Sequence, residues 1–176
     1  MNPSEPIPVK LFCGVLYSDE LLLNDARLLL VEKYGEIDHQ SDQFNFEISE
    51  YYRPEMGWPI YRTFWSFYRL INPNEIARVK IECNKIEDQL AITGNRKVNL
   101  DPGYMDYDKI VLASAKYNGQ KIYLNHGIYA DLTLRYEKGK YYPFPWSFPD
   151  FKTGQYSQTF LRIREIYKAQ LKKGEH

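Results

Sequence analysis

Histidine and cysteine are scarce in this chain: three and two among 176 residues, with no HxxxH spacing and no CxxC pair. A standard zinc site, which draws its ligands from such residues, therefore lacks material. No GxSxG elbow and no GxxxxGK[ST] loop occurs, so the nucleophile-elbow and phosphate-loop signatures are missing too. Net charge is also absent, because 23 Lys and Arg balance 23 Asp and Glu. No global field gathers polyanions, and sequence-specific DNA binding is not expected. No apolar run approaches the roughly 20 residues of a membrane span. The polar start MNPSEPIP lacks the basic and apolar regions of a signal peptide. A cytoplasmic location without a membrane partner is the expectation. Cys13 lies in an apolar strand pattern and Cys83 on an apolar helix stripe, so both are expected in the core.

Aromatic residues are what the chain has in quantity: sixteen Tyr, nine Phe and three Trp. So many Tyr suit half-buried faces, where a ring packs and its hydroxyl stays wet. The length predicts one domain. Residues 9–17 are apolar on both alternating faces, the mark of a strand covered on both sides. Ser18 is positioned to cap a following helix that Gly35 ends. Residues 44–48 alternate as a strand, residues 50–59 form a loop rich in rings and charge, and residues 60–71 read as a long strand. Asn72-Pro73-Asn74-Glu75 starts a helix with the spacing of a capping box, and Ile76, Val79, Cys83, Ile86 and Leu90 form its stripe. Residues 96–100 supply another strand.

The order to this point, β-α-β-β-α-β, predicts an α+β protein with a ferredoxin-like unit over residues 9–100, preceded by a flexible arm at 1–8. Residues 101–176 extend the same sheet with a third helix over 106–117, a β-hairpin and a C-terminal helix. The hairpin turns at Asn125-His126-Gly127, and Pro143 and Pro145 place its following strand at an edge. In the closing helix, capped by Thr153, Tyr156, Phe160, Ile163 and Tyr167 form the stripe expected to bury.

Chemistry concentrates at two places. Asp101-Pro102-Gly103-Tyr104 reads as a type II turn with Gly103 at the positive φ, presenting Asp101 at a strand end. The carboxylate either bonds its own turn or serves a site. Residues 128–136 divide into an apolar face and a second face of Tyr129, Asp131, Thr133 and Arg135. That face is either an ordinary cross-strand ion pair or a cleft wall, its acid accepting a proton and its guanidinium forking onto a carboxylate or phosphate. Asp101, Asp131 and Glu55 together could supply oxygen ligands to a divalent cation such as Mg²⁺.

VNLDPGY at residues 98–104, IYLNHGIYADLTLRY at 122–136 and PWSFPDF at 145–151, with KLFCGVLYSDE at 10–20 and YYRPEMG at 51–57, resemble the bacterial family called domain of unknown function 4416. The resemblance covers nearly the whole chain and brings no established activity with it. The residues themselves support a small-molecule enzyme or binding protein for an anionic ligand, a nucleotide or phosphoester. Its cleft would lie among the 101–104 turn, the 129–135 face and the 51–58 loop. Asp101 and Asp131 are its candidate catalytic residues, and Glu55, Tyr104, Tyr129, Arg135 and Trp146 its candidate ligand contacts. The competing expectation is a protein- or RNA-interaction module that uses Tyr51, Tyr52, Trp58, Tyr141, Tyr142 and Trp146 as a flat aromatic patch.

Overall fold

Residues 2–174 are described by a computed structural model. Residue 1 of the expected arm lies outside them, and residues 2–8 carry no regular secondary structure. The strand expected to be central is central: β1 (Val9–Tyr17) is buried at every position. It pairs antiparallel with β4 (Tyr61–Ile71) on one side and β5 (Val98–Met105) on the other. Beyond β4 lie β2 (Ile37–Gln40) and the two-residue β3 (Phe44–Asn45). Beyond β5 come β6 (Lys109–Ser114) and β8 (Ile128–Glu137), whose outer edge takes both β7 (Ile122–Asn125) and β9 (Lys140–Pro143). Among the described residues nine antiparallel strands thus make one sheet, and with its helices the protein is α+β.

Alternation along β1 assigns the two faces. Val9, Leu11, Cys13, Val15 and Tyr17 meet α1 (Glu20–Tyr34) and α3 (Ile76–Gln89) through Ala26, Leu30, Val79, Cys83 and Ile86. Phe12 faces the other way, into Phe64, Met105, Ile110, Leu134 and the closing helix α5 (Ser157–Lys173). Two short helices, α2 (Arg53–Met56) and α4 (Pro149–Lys152), sit in the connections. No helix among the described residues is long and apolar enough to cross a membrane. The capping box at Asn72 forms: Glu75 accepts from the Asn72 N–H at 2.9 Å, and Asn72 accepts from the Asn74 N–H at 3.1 Å.

Several expectations are corrected. Residues 106–117 are not a helix. Asp106 accepts from the backbone N–H groups of Asp108 and Lys109, both at 2.8 Å, and so closes a turn from which β6 returns along β5. An aspartate that bonds N–H groups two and three residues on is the local signature of a helix cap and of an Asx turn alike, and pairing with β5 decides between them. Residues 101–104 are not a turn, since β5 runs straight through them. Gly103 is absent from the glycines with positive φ. Its smallness serves close packing, because a Cβ there would lie 2.6 Å from the Val111 carbonyl oxygen and 2.7 Å from Phe12. β2 adds a strand between α1 and residues 44–48 that the pattern does not indicate, the strand at 44–48 is only two residues long, and Asp19 rather than Ser18 caps α1.

Phe160 is fully buried among Phe12, Phe64, Tyr141 and Phe151. Phe160→Ala is expected to cost about 3–5 kcal/mol in urea unfolding, and a loss below about 1 kcal/mol would remove this ring from the core. Gly103→Ala is expected to destabilise by about 1–3 kcal/mol in the same measurement, because the obstacle is backbone that cannot swing aside.

Candidate functional site

The sheet parts between β5 and β6, and the parting makes a cleft. Their pairing is confined to Gly103–Met105 against Ile110–Leu112, so the earlier residues of β5 have no partner in β6. A strand left unpaired in the interior would strand its backbone polar groups. Here α3 supplies what β6 does not: Glu87 accepts from the Leu100 N–H at 2.6 Å and Lys80 donates to the Leu100 carbonyl at 2.7 Å. Pro102, the next residue of the same parity, has no N–H to leave bare, which is why a proline is tolerated this deep in a sheet. The resulting cavity is about 800 Å³ and reaches from Lys80 and Glu87 past Asn99, Asp101 and Asp131 to Tyr51, Lys116 and Phe148.

Charges line it in linked pairs. Arg62, on β4, lies between Asp101 Oδ2 and Asp150 Oδ2, each at 3.4 Å. Burial works against its guanidinium, yet Asp150 and Asp101 more than offset that and raise its pKa. Lys80 shows the same balance, with burial opposed and outweighed by Asp101 and Glu87. Burial pushes the Glu87 carboxyl up, against the pull of Lys80, the Leu100 N–H and Arg96. Lys121 Nζ is 3.2 Å from Asp131 Oδ2 and also donates to Ser114 Oγ at 2.9 Å and the Lys116 carbonyl at 3.3 Å. Lys116 is different: its ammonium meets the Tyr51 hydroxyl at 2.7 Å and the Tyr51 ring, and no carboxylate among the described residues lies within 4 Å of it. That contact lowers the Tyr51 pKa. Among the described residues, three buried polar atoms have no hydrogen-bond partner although their residues line the cavity: Asp131 Oδ1, Asn99 Nδ2 and Arg62 Nε.

Of the residues singled out in the sequence, Asp101 and Asp131 share this cavity. Tyr51 and Tyr52 of the aromatic set line it as well, whereas Glu55, Tyr104, Tyr129, Arg135 and Trp146 do not. Tyr104 packs on the α1 and α3 side of the sheet. Tyr129 meets Tyr117 and Tyr123 edge-on. Arg135 was expected beside Asp131, but a bulge opposite Ile110 and Val111 resets the alternation of β8. Leu134 consequently joins the α5 core, and Arg135 is exposed, paired with Glu137 at 2.6 Å. Trp146 donates from Nε1 to the Leu132 carbonyl at 2.8 Å and stacks on Phe144. Glu55 forks onto Arg96 at 2.7 and 2.8 Å. Because it is held there, Glu55 does not converge with Asp101 and Asp131, and no group of three His, Cys, Asp or Glu suited to a metal ion occurs among the described residues. Of the expected aromatic patch, Tyr51, Trp58, Tyr142 and Trp146 are exposed, whereas Tyr141 is buried and Tyr52 packs on Phe46.

Sequence reasoning passed over Arg62, Lys80, Glu87, Asn99, Lys116, Lys121 and Asp150. For Arg62 a signal existed: it is a charge near the start of a strand whose positions are mostly apolar on both faces. Lys80 and Glu87 flank the apolar stripe of α3 and read as ordinary solvated positions until β5 is laid beside them.

Fold and cleft define an α+β protein whose single antiparallel sheet opens into a charged pocket. The family model for domain of unknown function 4416 matches residues 7–167, and the chain belongs to that family. No curated protein and no solved structure matches it.

Hydrogen bonding from Arg96 holds the Glu55 carboxyl below its usual range. A depressed folded pKa gives stability that is present above the unfolded value near 4.5 and lost as pH falls through the folded one. Glu55→Gln is therefore expected to lower stability at neutral pH and to differ little from the parent near pH 2, read by urea unfolding at both. An equal loss at both pH values would show that the charge of Glu55 contributes nothing.

Proposed function

We propose that this protein binds a small anionic ligand, a nucleotide or other phosphoester, in the cleft between β5 and β6. The observation that carries the reading is a large pocket whose mouth holds Lys116, a cation with no carboxylate within 4 Å among the described residues, and whose depth holds hydrogen-bonding atoms left unpaired among those residues. Lysine serves a phosphate as a mobile point charge, and the aromatic lining offers ring faces beside it. On this reading Asp101 and Asp131 are the carboxylates that take a proton from a bound substrate, with Lys121 holding Asp131 in place at 3.2 Å. The proposal covers an enzyme or a binding protein.

The strand order β2-β4-β1-β5, antiparallel throughout, with α1 and α3 on one face, supports reading this half of the chain as a ferredoxin-like βαββαβ unit extended by β6–β9 and α5. Two buried free cysteines agree with a reducing, cytoplasmic setting.

A thermal-shift panel of nucleoside monophosphates and triphosphates, phosphate monoesters and inorganic phosphate tests the reading, with calorimetry on any that respond. Lys116→Ala is expected to weaken a responding phosphoester by about three- to tenfold. Its stability should hardly change, because the side chain is exposed and bonds only the Tyr51 ring and hydroxyl. No response to any member, together with binding of single-stranded RNA, would overturn the small-ligand reading.

A further inference from the structure

The pocket's unpaired atoms are complementary in kind. Asp131 is 3% exposed and its Oδ1 accepts nothing from the protein, while Asn99 is 4% exposed and its Nδ2 donates to nothing. Each residue's other terminal atom is already held: Asp131 Oδ2 by Lys121 at 3.2 Å, and Asn99 Oδ1 by Arg96 at 2.8 Å. Neither group can therefore turn to satisfy itself without breaking a charge-assisted contact. A buried polar atom left bare costs stability, and a ligand that reaches it recovers that cost as affinity. A phosphate or carboxylate oxygen only accepts and would be repelled by Asp131. An ammonium only donates and would leave Asn99 bare. A hydroxyl does both. Phe46, Tyr52 and Phe148 add apolar ring faces for the C–H side of a sugar.

We propose, building on the phosphoester reading of this cleft, that its ligand is a sugar phosphate, with ring hydroxyls paired to Asp131 and Asn99 and the phosphate directed toward Lys116. Asp131 and Asn99 are then its specificity-determining residues. The same chemistry is offered by a free sugar phosphate and by the ribose phosphate of a nucleotide.

Calorimetry on the full chain with ribose 5-phosphate, methyl phosphate, ribose and AMP tests this. Ribose 5-phosphate is expected to bind at least about tenfold tighter than methyl phosphate. AMP binding as tightly or more tightly identifies a nucleotide as the source, and weaker AMP binding a free sugar phosphate. AMP binding without any for ribose 5-phosphate overturns the proposal in favour of base recognition. Equal affinity for methyl phosphate and ribose 5-phosphate overturns the sugar inference and leaves the phosphoester reading standing. Ribose bound as tightly as ribose 5-phosphate overturns the phosphoester reading instead, and silence from all four overturns both. Asn99→Asp keeps the acceptor for Arg96 while turning the free donor into an acceptor, so this variant is expected to fold. It should cut the ribose 5-phosphate to methyl phosphate affinity ratio about tenfold, as should Asp131→Asn. A ratio unchanged in both variants overturns the assignment of these two residues.

Discussion

A guanidinium buried beneath the cleft is the constraint around which the rest is arranged. Arg62 leaves its side chain only 5% exposed, and an isolated charge so placed would be prohibitive. It is tolerated because Asp101 on β5 and Asp150 on α4 approach it from two sides, and because Phe46, Phe64 and Phe151 turn their rings toward it. Glycine at position 14 completes the arrangement, since a Cβ there would stand 3.2 Å from the guanidinium. One side chain thereby fixes β4, β5 and α4 relative to one another. Asp150 also accepts from the Tyr156 hydroxyl at 3.0 Å, which ties the start of α5 to the same charge.

This explains why the cleft can stay open. A sheet that splits normally exposes two raw edges, and an 800 Å³ space would invite collapse. Lys80 and Glu87 bond one edge from behind, and Lys121 draws Ser114, the Lys116 carbonyl and Asp131 together on the other. The walls are thus braced from within the protein, and Asp131 Oδ1 and Asn99 Nδ2 are among the few buried polar atoms not used in that bracing.

How much of this was legible depended on range. β1, β4, α1, α3 and α5 follow from periodicity, because burial against a sheet imposes a pattern that neighbours in sequence share. β6 was hidden because Asp106 makes the same local bonds in a turn as in a cap. Asp101 and Asp131 were visible as acids, but their surroundings were not: Arg62 comes from 39 residues away in sequence, and the bulge in β8 leaves no mark in composition. Reading residues 128–136 with strict alternation put Arg135 on the wrong face for that reason.

Trp146 has a part that its place outside the pocket does not suggest. The outer edge of β8 is divided between β7 and β9, four residues each, and in the interval the indole N–H and the Ser147 hydroxyl take the Leu132 and Thr133 carbonyls. Two short strands and two side chains together leave no long flat run of bare amides on that rim. β9, itself the outermost strand there, carries Lys140 and Pro143. A foreign strand seeking to add itself would find a broken, partly charged template, which protects so tyrosine-rich a surface against end-to-end stacking into fibrils.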